Sequence, residues 1–542
     1  MITFDQNGMK VGWVSIWGDW AVHLTQGSTM AYRTLIPREN PVLMGAPFSY
    51  PFAVNLVSAI LVRTLNISLF TAFVTVSYIC CILFIYVVYF VFYRMLGTTL
   101  KAILATLVFM LNGGLGFAWY IKDVIKSPTL RTALDFSTEY THLYKIGIEW
   151  INIITSMLIP QRSFVFGFPI ALLVLAILHR YAFSYRTTDL TKHKKQTVVV
   201  LGSCVLLLGF MPLIHMHSML ALAIIGGLWW LWRFLSFDGK TLWRDRLHFF
   251  LMWCAVAIGV VAIAWPILHV FYPETLSSTA SGAFIRWYPW WYVNSDAIHH
   301  GELSWLMFWW LNWGIVLPLA LIRWVFLPIH KKTLWFPFLF LFVLLNFFLF
   351  QPHIWDNTKM LVWASVGVSA LAADAIGSLM KHRRILLKIL AFLFLLLATS
   401  SGLLDAYMLT NKKVHSWYMY SQKDLEMAEF IKTATVPETV FLTSDVHNNA
   451  ITNLTGRRIV MGYRGWLWTY GIDYSSTEKD VFAIYHADPG FEKLLKKYNV
   501  SFVAFDSAVR NNWSGNEDYF RKRYPLWHRS DDYTIYDVRG IY

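Results

Sequence analysis

Residues 69–93 read LFTAFVTVSYICCILFIYVVYFVFY, an unbroken run with no charged side chain. A helix needs about 20 apolar residues to cross a hydrocarbon core roughly 30 Å thick, and this stretch exceeds that length. Runs of the same kind follow near 100–118, 163–182, 196–213, 216–235, 248–272, 303–328, 332–350, 359–380 and 385–404. Continuous apolar runs are not the alternating pattern of a barrel strand, so a closed β-barrel is excluded. With 57% hydrophobic and 14% charged residues among 542, and a mean hydropathy of +0.47, an ordinary soluble protein is excluded too. The expectation is an α-helical polytopic membrane protein with about ten spans in this chain.

The formal net charge of +14 would point to nucleic acid in a soluble protein. Its placement gives a different answer. Alternate loops carry Arg94 and Lys101; Arg180, Arg186, Lys192, Lys194 and Lys195; Arg233, Lys240, Arg244 and Arg246; Arg323, Lys331 and Lys332; and Lys381, Arg383, Arg384 and Lys388. Their only acids are Asp189, Asp238 and Asp245. The positive-inside rule makes these loops cytoplasmic, where they meet anionic membrane lipids and no nucleic acid is implied. The N-terminal loop and everything after Tyr407 then lie outside. Cys80, Cys81, Cys204 and Cys254 all fall inside spans, so the external segments hold no disulfide framework. That and the compact architecture suit a bacterial inner membrane. Because residues 1–50 are polar and aromatic yet external, one further helix is expected ahead of residue 1, for eleven in all.

Three divisions follow. Residues 1–68 read as a first extracytoplasmic loop with interfacial helices; FAVNLVSAILVRTL (52–65) is too short and polar to span and suits the outer leaflet. Residues 69–404 form the transmembrane helical domain. Residues 405–542 have soluble-domain charge. There, helices are expected over 422–434, through HNNAITNLTG up to Gly456, and over 491–498, with extended segments at 440–444, 458–463 and 500–506. Such alternation favours a small extracytoplasmic α/β domain.

The polar residues with chemical potential fall at external span ends. In IWGDWAVHLTQG, Asp19 and His23 are four apart and share a helix face; they read as a general base with a companion imidazole, or as surface loop residues. Glu39 and Tyr50 flank a Pro-rich loop that reads chiefly as rigid scaffold. Gln161 and Arg162 precede a span, where a cation either binds phosphate or snorkels to headgroups. His215 and His217 stand in a turn between spans, fitting phosphate or sugar contact or a helix cap, with no neighbouring acid or thiol to complete a metal set. In QPHIWDNTKM, His353, Asp356, Asn357 and Lys359 share one short turn. Lys359 could hold an anionic headgroup and Asp356 a sugar, or the two could satisfy each other. Trp287, Tyr288, Trp290, Trp291 and Tyr292 read as an interfacial belt before a sugar platform. In the tail, Tyr463, Arg464, Trp466 and Asp473 mark a strand-to-loop exit suited to substrate contact.

GDWAVH (18–23), ENP…G.PFSYP (39–51), PQR (160–162), HMH (215–217), WDNTK (355–359) and GYRGWLWTYGID (462–473) resemble the glycosyltransferase C superfamily. Its members are integral membrane enzymes that take sugars from polyprenyl phosphates, among them protein O-mannosyltransferases and lipid A aminoarabinose transferases. The resemblance runs through the whole chain in architecture and is specific at these positions. It implies a lipid-linked sugar donor and a glycan, lipid or protein acceptor. It equates Asp19 with the family's first-loop acid, a catalytic base or metal ligand, so a divalent metal is an admissible cofactor and no other is implied. Gly18 and Trp20 flank Asp19 where many mannosyltransferases have a second acid.

The chemistry expected is displacement at an anomeric carbon. It needs a base for the acceptor hydroxyl, here Asp19 with His23, and cations for the leaving phosphate, here Arg162 and Lys359 with Gln161. Direct displacement inverts the anomeric centre. His215, His217, Asp356, Tyr463 and Trp466 are the candidate substrate contacts. The competing expectation is a polytopic transporter or flippase, which should show polar or broken helices at mid-membrane depth. Asp374 and Arg323 are the clearest ionisable exceptions within the spans.

Overall fold

A computed structural model describes residues 2–181, 194–236, 243–272, 285–294, 303–350, 354–411 and 416–541. Arg186, Asp189, Lys192, Asp238, Lys240 and His353, named above, lie outside the described residues.

Six helices among the described residues are long and apolar enough to cross a membrane: Leu69–Leu96, Arg162–His179, Met216–Leu235, Arg246–Phe271, Ile354–Met380 and Ile385–Met408. Trp305–Trp313 and Val316–Val325 make a seventh if taken together, bent by 102°. Gly314 sits at that bend with φ +51°, a conformation in which glycine has no Cβ to clash. Thr99–Leu111 and Lys195–Gly209 are apolar but shorter, and Ile329–Phe347 is helical with Pro337 inside it. The protein is a mostly helical, multi-span integral membrane protein with a C-terminal mixed sheet.

The chain divides into two compact units. The first joins residues 1–78 and 269–282 to 415–542. Strands β1 (Ile2–Asp5) and β2 (Gly8–Val11) form an antiparallel hairpin, and β2 pairs with β3 (Trp417–Ser421). The first residues and the tail therefore share a sheet. A second sheet contains β4 (Val440–Leu442), β5 (Arg458–Ile459), β6 (Phe502–Phe505), β7 (Leu526–Arg529) and β8 (Thr534–Asp537) in the order β5-β4-β6-β8-β7. The first three strands of that order are parallel, and β8 and β7 are antiparallel additions. Strands β4 and β6 are buried throughout and read as unbroken apolar runs, as sheet strands covered on both faces do. The expected helix over 422–434 spans Gln422–Ala434, started by a capping box of Ser421 and Asp424.

Helix α1 (Val14–Tyr32) is buried on every side from Trp20 to Ala31, packed against helix α2 (Ala53–Leu65) and the Ala450–Leu454 helix. Helix α2 buries polar as well as apolar side chains. Asn55 and Ser58 are fully buried, while Val57, Ile60 and Leu65 are exposed.

In the second unit the Thr358–Met380 helix is central, buried along most of its length. Gly367 admits the Phe338 ring so closely that a Cβ there would lie 2.3 Å from Phe338 Cβ. Two buried polar residues pin the loop at 140–152. Asp405 accepts from Tyr140 N at 2.6 Å, Thr141 N at 3.0 Å, Thr141 Oγ1 at 2.5 Å and Asn152 Nδ2 at 3.3 Å. Asn312 Oδ1 accepts from the backbone of Glu149 and Trp150, and its Nδ2 donates to Gly147 O.

The expected aromatic belt needs correcting. Trp287 and Trp290 are exposed, but Trp291 and Tyr292 are buried. Trp291 Nε1 donates to Leu345 O at 2.7 Å, and Tyr292 stacks on Phe308 at 4.3 Å. Trp291 packs inside because its indole N–H finds a backbone carbonyl. Asp374 is matched by Lys101 and Arg323, each 2.5 Å away.

Candidate functional site

In the second unit the candidate residues sit at the beginnings of helices. Arg162 is the first residue of Arg162–His179, entered through a π-turn at Ile154–Leu158 with Gln161 at the N-cap. Its side chain is buried, and the thiols of Cys80 and Cys81 lie near its guanidinium. His215 is extended (φ −163°, ψ 94°) between the Met211–Ile214 turn and the Met216–Leu235 helix. Its Nδ1 meets Ser218 Oγ at 2.6 Å, and the His217 ring centroid is 5.2 Å away. Burial first, then the neighbouring His217 and Lys359, hold the His215 imidazole well below its ordinary pKa range.

Two aromatic contacts fix how these helices align. Phe164 is edge-on to His215 at 5.4 Å, and Phe168, one turn further on, meets Trp363 at 4.5 Å. The helices that begin at Arg162, Met216 and Thr358 thus start together and run the same way. Gly167 makes the first contact close, since a Cβ there would fall 2.5 Å from His215 Cβ. Lys359 Nζ pairs with Asp356 Oδ1 at 3.0 Å, so the mutual satisfaction weighed above does occur. Helix N-termini carry partial positive charge and unpaired N–H groups. Three of them, with Arg162 and Lys359, make an end suited to holding an anion.

In the first unit Asp19 and His23 lie one turn apart on α1, Asp19 half-buried and His23 almost fully buried. His23 Nδ1 is 2.9 Å from Asn55 Nδ2, and the same amide donates to Gln26 Oε1 at 2.8 Å. Tyr50 lies beside His23 and against Tyr470, at ring distances of 5.8 and 5.2 Å. Glu39 is held by Arg458, which makes it a structural residue.

The same unit carries a second cluster where the parallel strands end. After β4 the chain crosses to β5 on one side, and later to β6 on the other, a topological switch of the kind that opens a crevice at carboxyl ends. His447 follows β4; its Nε2 is 3.3 Å from Trp17 O and its ring 3.7 Å from the Trp17 ring. Tyr463 follows β5 and lies 5.6 Å from His447, with Trp466 5.2 Å beyond. Arg464 is paired with Asp445 and Glu478. Burial lowers the His447 pKa, opposed by its bond to the Trp17 carbonyl. The sequence reading found Tyr463 and Trp466 but missed His447 and Trp17, although SDVHNN directly after an apolar strand was an available signal.

Among the described residues no group of three or more His, Cys, Asp and Glu side chains could hold a metal ion. Asp19 and its neighbours on α1 do not supply such a set.

No family model and no curated protein matches this chain. Solved structures do. An Archaeoglobus fulgidus oligosaccharyltransferase tethered to an acceptor peptide aligns over 96% of this chain and 70% of its own, at 12% identity and a TM-score of 0.44; its apo form aligns over 94% and 67%, at 12% and 0.46. ArnT from Cupriavidus metallidurans bound to undecaprenyl phosphate aligns over 97% of both chains, at 10% identity and a TM-score of 0.45. The similarity is one of overall chain path, at 10–12% identity.

Proposed function

We propose that this protein is a membrane glycosyltransferase that moves a sugar, with inversion, from a polyprenyl-phosphate donor to an extracytoplasmic glycan, lipid or protein acceptor. The domains are those read from the sequence: a first external loop at 1–68, ten membrane crossings within 69–404, and an external domain at 405–542, in a bacterial inner membrane. The observation that carries the reading is the gathering of Arg162, His215 and Lys359 at three parallel helix starts.

The Asp19 carboxylate takes the proton of the acceptor hydroxyl as that oxygen bonds to the anomeric carbon. The bond from that carbon to the phosphate oxygen breaks, and its electron pair leaves on the phosphate. Arg162, Lys359 and Gln161 hold the added negative charge. His23 assists Asp19, and His215, His217, Asp356, Tyr463 and Trp466 contact donor or acceptor. The leaving phosphate is a weak base, so no proton donor to it is needed.

The bent pair Trp305–Trp313 and Val316–Val325 favours a transporter. Asn312 beside the break, however, is spent on the backbone at 147–150 and Arg323 on Asp374, leaving the break covered by protein. The test is Asp19→Asn. Sugar transfer should fall on the order of 10²- to 10⁴-fold, the worth of a general base, with membrane insertion unchanged. Full transfer by the variant would refute the assignment.

A further inference from the structure

Between α1 and α2 three polar side chains are shut away from solvent: His23, Gln26 and Asn55 are 1%, 2% and 0% exposed. A buried polar group is costly unless it is hydrogen-bonded, and these three bond to one another. Asn55 Nδ2 meets His23 Nδ1 at 2.9 Å and Gln26 Oε1 at 2.8 Å. A side-chain amide nitrogen only donates. Its two hydrogens are therefore directed to Gln26 and to His23, and Nδ1 of the imidazole must accept. A neutral imidazole that accepts at one nitrogen carries its proton on the other.

We propose that Asn55 is a positioning residue that fixes His23 as the neutral Nε2–H tautomer, so that His23 serves as a hydrogen-bond donor and Asp19 alone as the base. This rests on the reading of Asp19 given above. It sharpens that reading, because either carboxylate or imidazole could have taken the proton from the acceptor hydroxyl. With Nδ1 accepting, the other ring nitrogen carries the proton and can only give a hydrogen bond. Gln26 completes the device by using the second amide hydrogen of Asn55, which prevents the amide from rotating. The sequence hid this, since Asn55 lies 32 residues from His23 in an apolar-looking segment.

The experiment uses the full chain, labelled with ¹⁵N in its histidine rings and held in lipid nanodiscs, with His23 identified by subtracting the spectrum of His23→Gln. The wild type should show Nδ1 without a proton and Nε2 with one at neutral pH. Asn55→Asp replaces the donor by a carboxylate, and should place a proton on Nδ1. It should also shift the pH profile of sugar transfer measured with the lipid-linked sugars of the native membrane, where mere loss of folded protein would lower the rate equally at every pH. A protonated Nδ1 in the wild type, or a spectrum unmoved by Asn55→Asp, overturns the proposal. If the wild type transfers no sugar, the transferase reading falls while the spectra still decide the tautomer.

Discussion

Arg458 Nη2 lies 2.8 Å from both carboxylate oxygens of Glu39, joining residues 419 positions apart. The same carboxylate accepts from Gly45 N at 2.8 Å, so the Pro-rich loop is tied to the tail's sheet. The backbone repeats the connection: Leu43 bridges Met461, and β2 pairs with β3. Segments so joined must reach the same side of the membrane.

Cysteines introduced at Gln6 and Lys522, both exposed, are thus expected to react together with a membrane-impermeant maleimide added outside intact cells. Labelling of one from outside and the other only after lysis would break the topology. It would also detach Tyr463 and Trp466 from Asp19.

Asp405 offers a stability test. Its carboxylate receives two backbone N–H groups, a hydroxyl and an amide, all from the loop at 140–152. Asp405→Leu strands those donors in a buried site, at a cost of about 1–3 kcal/mol for each buried group left unpaired. Asp405→Asn keeps one acceptor oxygen and should lose less. Thermal unfolding in detergent should rank wild type, Asn and Leu in that order. Equal midpoints for all three would show that the loop is held by something else.

What the sequence could reveal follows from how far each signal reaches. The apolar runs and the capping box at Ser421 are local patterns; six helices of membrane-crossing length fall on the expected runs, while the run at 303–328 is broken by a 102° bend. Arg162, His215 and Lys359 were legible because a polar residue at the edge of a hydrocarbon-length run is conspicuous. Asn55, Asn312 and Asp405 were not, because each acts on backbone or side chains found only after folding; Asp405 and Thr141 are 264 residues apart. Strands β7 and β8 were missed for a related reason. LWHR and TIYD are short and polar-mixed, and pairing with β6 and β7 is what makes β8 a strand. The belt reading of Trp291 and Tyr292 failed because composition cannot separate a ring at an interface from one packed under a loop.

His447 gives the first unit a pH dependence with a definite sign. Burial lowers its folded pKa, so the unfolded chain binds the proton more tightly. Its contribution to stability is complete above the ordinary imidazole range near 6.5 and is lost as the pH falls through it. The unfolding midpoint should therefore drop on acidification, and His447→Gln should show a shallower drop between about pH 7 and 5. A variant whose pH dependence matches wild type would remove His447 as the cause.

Gly167 tests whether the His215 turn is held by close packing. A Cβ at this position would meet His215 Cβ at 2.5 Å and Ile214 Cγ2 at 3.0 Å, and neither belongs to the loose end of a long side chain. Gly167→Ala must push the turn away from the Arg162 helix, a strain of about 1–3 kcal/mol for overpacking. Gly202 is the control: it is also helical, but a Cβ there meets nothing within 4 Å. Alanine there should be neutral or stabilising by up to ~1 kcal/mol, as glycine is the poorer helix former. The two substitutions are chemically identical and should move the unfolding midpoint in opposite directions. Gly167→Ala should also reduce sugar transfer, because His215 moves relative to Arg162, whereas Gly202→Ala should not. If both variants behave alike, His215 is not seated against the Arg162 helix, and the parallel alignment of the three helix starts loses its main geometric support.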